Sequence, residues 1–142
     1  MPPWEKLSET MQMSFLMSNR TFLTLHSIIY AFFAFALFFL PGFLWQNYGV
    51  ELNDRYAWFL SQHNSIFLGG IAILGFLLRD VTDGTTIRRL LTGLMATNAL
   101  GFIVTLYAAV IGVFTGFGWS DPAFFAFLAA MSFLQLKKSD QA

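Results

Sequence analysis

The stretch from Thr21 to Leu40 reads TFLTLHSIIYAFFAFALFFL: twenty residues, seven of them aromatic and none charged. A helix needs about 20 mainly apolar residues to cross the hydrocarbon of a bilayer, so this segment predicts a membrane span. The rest of the chain is of the same kind. Of its 142 residues, 56% are hydrophobic, 18% aromatic and 11% charged, whereas a soluble domain carries about 25% charged residues. A water-soluble fold of this composition would expose large apolar patches. Disorder would need low hydrophobicity and high net charge. An integral membrane protein is the class that remains.

Three further segments extend the pattern. One runs from about Ala57 to Leu78 and has a polar start at Ser61-Gln62-His63-Asn64-Ser65. The next runs from about Leu90 to Thr115. The last, from Ala123 to Leu136, has 14 residues, about 21 Å of helix against a core of roughly 30 Å. It spans if Trp119 and Lys137 sit at the interfaces; the alternative is a re-entrant or surface helix. Pro41-Gly42 ends the first span, Asp83-Gly84 turns the chain between the second and third, and Asp121-Pro122 opens the fourth with a cap and a first-turn proline. The reading is all-α: an integral membrane four-helix bundle with spans at 21–40, 57–78, 90–115 and 123–136. Residues 1–20 form an N-terminal cytoplasmic or interfacial segment, and 137–142 a cytoplasmic tail.

Charge sets the expected orientation. With four spans, one side holds both termini and the second loop, and carries Lys6, Arg20, Arg79, Arg88, Arg89, Lys137 and Lys138. The other side carries Arg55 alone. Positive residues accumulate in the cytoplasm, so both termini are expected there. Trp45, Tyr48, Tyr56, Trp58 and Trp119 gather on the outer side as an interfacial belt. Before the first span, Trp4, Leu7, Met11 and Phe15 have the spacing of an interfacial helix; Met17-Ser18-Asn19-Arg20 reads equally well as a start.

Helices in lipid meet through small residues. The third span places Gly93, Thr97, Gly101, Thr105 and Ala109 at four-residue steps, with Gly112 and Gly116 extending them as a GxxxG; the second offers Gly69, Gly70, Ala72 and Gly75. These two spans are therefore expected to pack as a close antiparallel pair. Gly112 and Gly116 serve either that packing or a dimer seam. The phenylalanine-rich faces of the first and fourth spans are expected to meet lipid.

Ionisable residues inside a span are costly and mark candidate sites. His63, flanked by Gln62 and Asn64, lies near the outer surface, at a depth that Tyr107 and Asp121 should share. A histidine, a tyrosine and a carboxylate could bind a quinone carbonyl, move a proton or hold a polar headgroup. The competing reading is a polar cap that starts the helix in the headgroup region. His26 lies near the cytoplasmic surface with Tyr30 four residues on, either as a ligand contact or hydrogen-bonded in the bundle. Asn98, near mid-span, must bond across helices or contact a ligand. No catalytic set is visible: there is no HExxH, GxSxG or P-loop, and no span centre holds Asp, Glu, Lys or Arg. No cysteine is present, so disulfides, thiolate nucleophiles and iron–sulfur clusters are excluded, and no metal site is expected. No basic run suits nucleic acid.

The four-span layout, the Pro41-Gly42 helix end and the outer Trp45, Tyr48, Gly49 motif resemble the small bacterial four-helix membrane proteins of the DoxX-like group, over Ser18 to Lys138. The resemblance implies a four-helix fold in a bacterial inner membrane, and an association with quinone-linked respiratory complexes. The functional expectation is an accessory subunit, or a binder of a small lipid or quinone, within a larger membrane complex or a homo-oligomer. Its site would surround His63, Tyr107 and Asp121. One alternative is a quinone- or haem-linked redox protein using His63 or His26; another is a small transporter.

Overall fold

The computed structural model describes Pro2 and residues 17–140; the expected interfacial helix before Met17 lies outside the described residues. The described chain is all-helical. It runs α1 (Asn19–Phe39), α2 (Pro41–Asn47), α3 (Arg55–Leu77), α4 (Gly84–Val110), a 3-10 turn (Gly116–Trp119) and α5 (Ser120–Ser139). Four segments are long and apolar enough to cross a membrane: α1, α3, α4 and the 3-10 turn joined to α5. Large apolar side chains such as Phe32, Phe35, Phe39, Ile66, Phe67, Leu77, Ile103 and Phe127 point outward. That surface suits lipid and not water.

Local chemistry sets the helix starts. Ser18 Oγ accepts from Thr21 N. Asp54 accepts from the amides of Tyr56 and Ala57, and Asp83 from that of Thr86. Each short polar side chain satisfies donors that a helix start leaves open. The junction of α1 and α2 depends on Pro41, which has no N–H to offer the Leu37 carbonyl one turn back. Ser61 Oγ on α3 donates to that carbonyl instead, at 3.2 Å, and accepts from Trp45 Nε1 at 2.7 Å. Gln62 Nε2 donates to the Phe38 carbonyl at 3.2 Å. Two residues of the polar run on α3 thus close the end of α1.

Several boundaries differ from the sequence reading. The third helix occupies 84–110 and not 90–115. The Asp83 cap draws Thr85, Thr86, Arg88 and Arg89 into its first turns. At its far end Gly112 and Gly116 take positive φ values of 79° and 53°, which glycine adopts without a Cβ penalty. They form a loop, so no helical GxxxG exists here. The fourth helix is longer than expected, because Ser120, Asp121, Lys137 and Lys138 are helical; hydropathy alone stopped at those polar ends. Asp121 is in its first turn but is not its cap, a position held by Trp119.

Helix pairing also differs. α1 packs along α3, and α4 along α5. Among the described residues α3 and α4, expected to be partners, do not pack on each other. The small residues explain this. A Cβ on Gly75 would come within 2.5 Å of Ser27 Oγ, and one on Gly69 would face Ala34 at 3.8 Å, so the small face of α3 serves α1. The Phe125 ring of α5 occupies the space a Cβ on Gly101 would need. Gly70, Gly93, Gly112 and Gly116 meet nothing there. The two pairs are joined by side chains: Phe22 and Leu23 of α1 with Ile87, Leu91 and Leu94 of α4 near the termini, and Tyr30, Ala72 and Leu128 in the middle. Tyr48, Ala109 and Phe114 close the end that carries α2.

Candidate functional site

Mid-bundle, three polar side chains meet between α1 and α4. Asn98 is fully buried and His26 is 2% exposed. Tyr30 Oη donates to Asn98 Oδ1 at 2.7 Å. Asn98 Nδ2 donates to the Leu94 carbonyl at 2.9 Å and lies 3.0 Å from His26 Nε2. The phenol occupies the amide oxygen, so the amide nitrogen is the donor to imidazole. That places the ring proton on Nδ1. The His26 ring stacks on Tyr30, with centroids 4.5 Å apart and planes 17° from parallel. His26 and Tyr30 are one helical turn apart on the same face of α1, which brings both to one amide.

Between this cluster and the α2 end, a cavity of about 390 Å³ separates the two helix pairs. Tyr30 lies toward its inner part, while Trp45, Tyr48, Thr105 and Asp121 stand at the α2 end. Phe33, Leu68, Gly101 and Phe124 form much of the apolar wall. Phe67, Leu100 and Val104 line the cavity yet are also exposed on the outer surface. They belong to α3 and α4, the helices that do not pack together. The cavity therefore opens sideways, onto the surface that faces lipid. Its size falls in the range of small-molecule sites, about 300–1,000 Å³.

The polar end is built from distant parts of the chain. Tyr48 Oη donates to Asp121 Oδ1 at 3.2 Å. The Tyr48 ring is buried against Phe114, Phe117 and Trp45, and its carbonyl accepts from Thr115 N at 3.0 Å. Burial first, and the Asp121 carboxylate second, push the Tyr48 hydroxyl above its ordinary range. It remains a proton donor at neutral pH. The group can hold an amphipathic molecule with its head at the α2 end. Among the described residues no three of His, Asp and Glu converge to hold a metal ion.

The residues singled out in the sequence fall into separate places. Asp121 and Asn64 line the cavity. His63 does not: it is exposed on α3, between the rings of Phe59 and Phe67 at 5.6 and 5.9 Å. Tyr107 is 65% exposed and also stands outside it. The expected grouping of His63, Tyr107 and Asp121 at one site is not formed, because shared depth does not set the direction a helix face points. Gln62 closes α1. His26 and Asn98, expected as separate features, are one cluster. Tyr48 and Trp45 escaped as cavity residues, since both read as an interfacial belt.

Comparison with protein-family models, with curated proteins and with solved structures finds no match for this chain.

Proposed function

We propose that this chain is a small inner-membrane protein, with both termini in the cytoplasm, that binds a membrane-dissolved amphipathic molecule of the lipid or quinone class. It would serve a larger membrane complex as an accessory subunit, without its own catalytic set. The observation that carries this reading is the cavity between the helix pairs, with its apolar walls, polar α2 end and opening toward lipid. An apolar tail gains from leaving the bilayer only if the site also meets its head, and Asn64, Tyr48 and Asp121 offer donors and an acceptor at one end. The excess of Arg and Lys at the end that holds the termini supports the orientation. The layout shared with the DoxX-like group supports a quinone-linked setting.

The test is purification of the full chain in mild detergent, followed by solvent extraction and mass spectrometry of what is bound. A lipid or quinone near stoichiometric amount is expected from the wild type. Leu100→Trp and Val104→Trp fill the side opening and should lose it. An extract that matches the detergent blank, or that is unchanged in both filled variants, would sink the reading.

A further inference from the structure

At the α2 end one partly buried carboxylate has no opposite charge beside it, whereas Glu51 is exposed to solvent. The charged residues there are Glu51, Asp54, Arg55 and Asp121. Asp54 is spent on the amides that open α3. Arg55 is exposed, donating to Tyr56 Oη at 2.9 Å with its guanidinium over the same ring. Asp121 is half-buried in the cavity wall. Its side chain accepts from the neutral hydroxyl of Tyr48. Among the described residues no basic side chain forms an ion pair with it. Its place in the first turn of α5 supplies only partial positive charge. A carboxylate set against apolar walls is costly unless an opposite charge joins it or a proton neutralises it.

The cavity that Asp121 lines is rich in aromatic rings, among them Phe33, Trp45, Tyr48, Phe67 and Phe124. Ring faces attract cations, most strongly organic cations that shed little water on entry. An inorganic divalent cation is a poor fit, since it needs six or more oxygen ligands and the lining is mostly carbon. We infer that the head of the bound molecule is an organic cation, an ammonium- or phosphonium-type centre carrying apolar groups, seated on Asp121 within the aromatic wall. This rests on the binding reading above and narrows it: a neutral quinone head would leave Asp121 without an opposite charge. The cation could reach the site as the ammonium of a lipid headgroup or as a free lipophilic cation, and both share the chemistry of the seat.

Tetraphenylphosphonium and tetraphenylborate have the same shape and opposite charge, and both dissolve in apolar surroundings. Equilibrium dialysis against the full chain in dodecyl maltoside, a neutral detergent, separates charge from hydrophobicity. The phosphonium should bind saturably, and the borate only as it partitions into empty micelles. Asp121→Asn should weaken the phosphonium by about tenfold or more, equal to about 1.4 kcal/mol, while Glu51→Gln at the same end should leave it unchanged. Displacement of the phosphonium by added phosphatidylethanolamine would identify a lipid ammonium as the natural head; no displacement would identify a free lipophilic cation. Borate binding as tight as phosphonium binding, or full affinity in Asp121→Asn, would overturn the inference. The wild-type comparison of the two ions decides it even if the variant does not fold. Should neither ion bind while a neutral lipid or quinone is still extracted, the cation seat falls and the cavity reading stands.

Discussion

Tyr30 and Asn98 are 68 residues apart in sequence, and their side chains meet at 2.7 Å in the middle of the bundle. Around them the backbones of α1 and α4 stay apart, so side chains alone join these two helices at this level. In the bilayer core an unpaired polar group has no water to turn to. Removing the amide orphans two buried partners at once, the Tyr30 hydroxyl and His26 Nε2. Asn98→Ala should therefore cost about 1–3 kcal/mol of stability, read as a lowered midpoint of thermal unfolding in detergent. Tyr30→Phe removes one partner and should cost about 0.6 kcal/mol, the mean for hydrogen bonds between membrane helices. Because the residues touch, the two losses should not add in the double variant. Additive losses would show that the contact carries no coupling.

The glycines of α4 separate by what faces them. Gly101→Leu would drive a side chain into the Phe125 ring, and should destabilise by about 1–3 kcal/mol, as overpacking does. Phe125→Ala in the same chain should recover part of it. Gly93 is exposed and meets nothing, so Gly93→Ala should be neutral or stabilise by up to about 1 kcal/mol through helix propensity. Equal effects at both positions would contradict the packing of α4 on α5.

The spans were legible in the sequence because they depend on neighbours in the chain. Twenty apolar residues from Thr21 act locally; the Asp83 cap is as local, but Asp83-Gly84 reads as a turn in the sequence, and the helix it opens starts at Gly84 and not at Leu90. The ends were less legible, since hydropathy cannot tell a polar residue inside a helix, such as Asp121, from one beyond it. Pairing was read from the small residues of the second and third spans, but a small residue does not name its partner: Gly75 packs on Ser27 of α1 and Gly101 on Phe125 of α5. The candidate site depends on rotation about helix axes, which depth arithmetic does not contain. That is why His63 and Tyr107 face outward while Asn64 and Asp121 face the cavity. Tyr48 reaches Asp121 across 73 residues, and no local pattern announces such a contact.

Tyr48 gives the protein a pH dependence of known sign. Burial and the Asp121 carboxylate raise the pKa of its hydroxyl in the folded state, while in the unfolded chain it ionises near its usual value of about 10. The folded state thus favours the protonated phenol. Its contribution is fully present below about pH 10, and is lost as pH rises from there through the folded value. Unfolding midpoints in detergent should fall as pH is raised beyond about 10. In Tyr48→Phe the fall should be shallower, because that proton no longer distinguishes the two states. A parallel fall in both proteins would show that Tyr48 titrates alike folded and unfolded.

The proposed orientation can be checked with one label per molecule, because the chain has no cysteine of its own. Asn53 lies in the loop between α2 and α3, and Ser139 ends α5 at the opposite end of the bundle. With Arg and Lys retained in the cytoplasm, Asn53→Cys should react with a membrane-impermeant maleimide on intact cells. Ser139→Cys should react only after the membrane is opened. Ser139 bonds to the Gln135 carbonyl and to Asn19 at 3.1 and 3.3 Å, and lies in the last turn of α5, so its replacement by the similarly sized cysteine should leave the helices in place. In sealed inside-out vesicles the two reactivities should exchange. Labelling of both positions from the same side would mean that one of the four apolar segments does not cross, and the side opening of the cavity would then no longer face lipid.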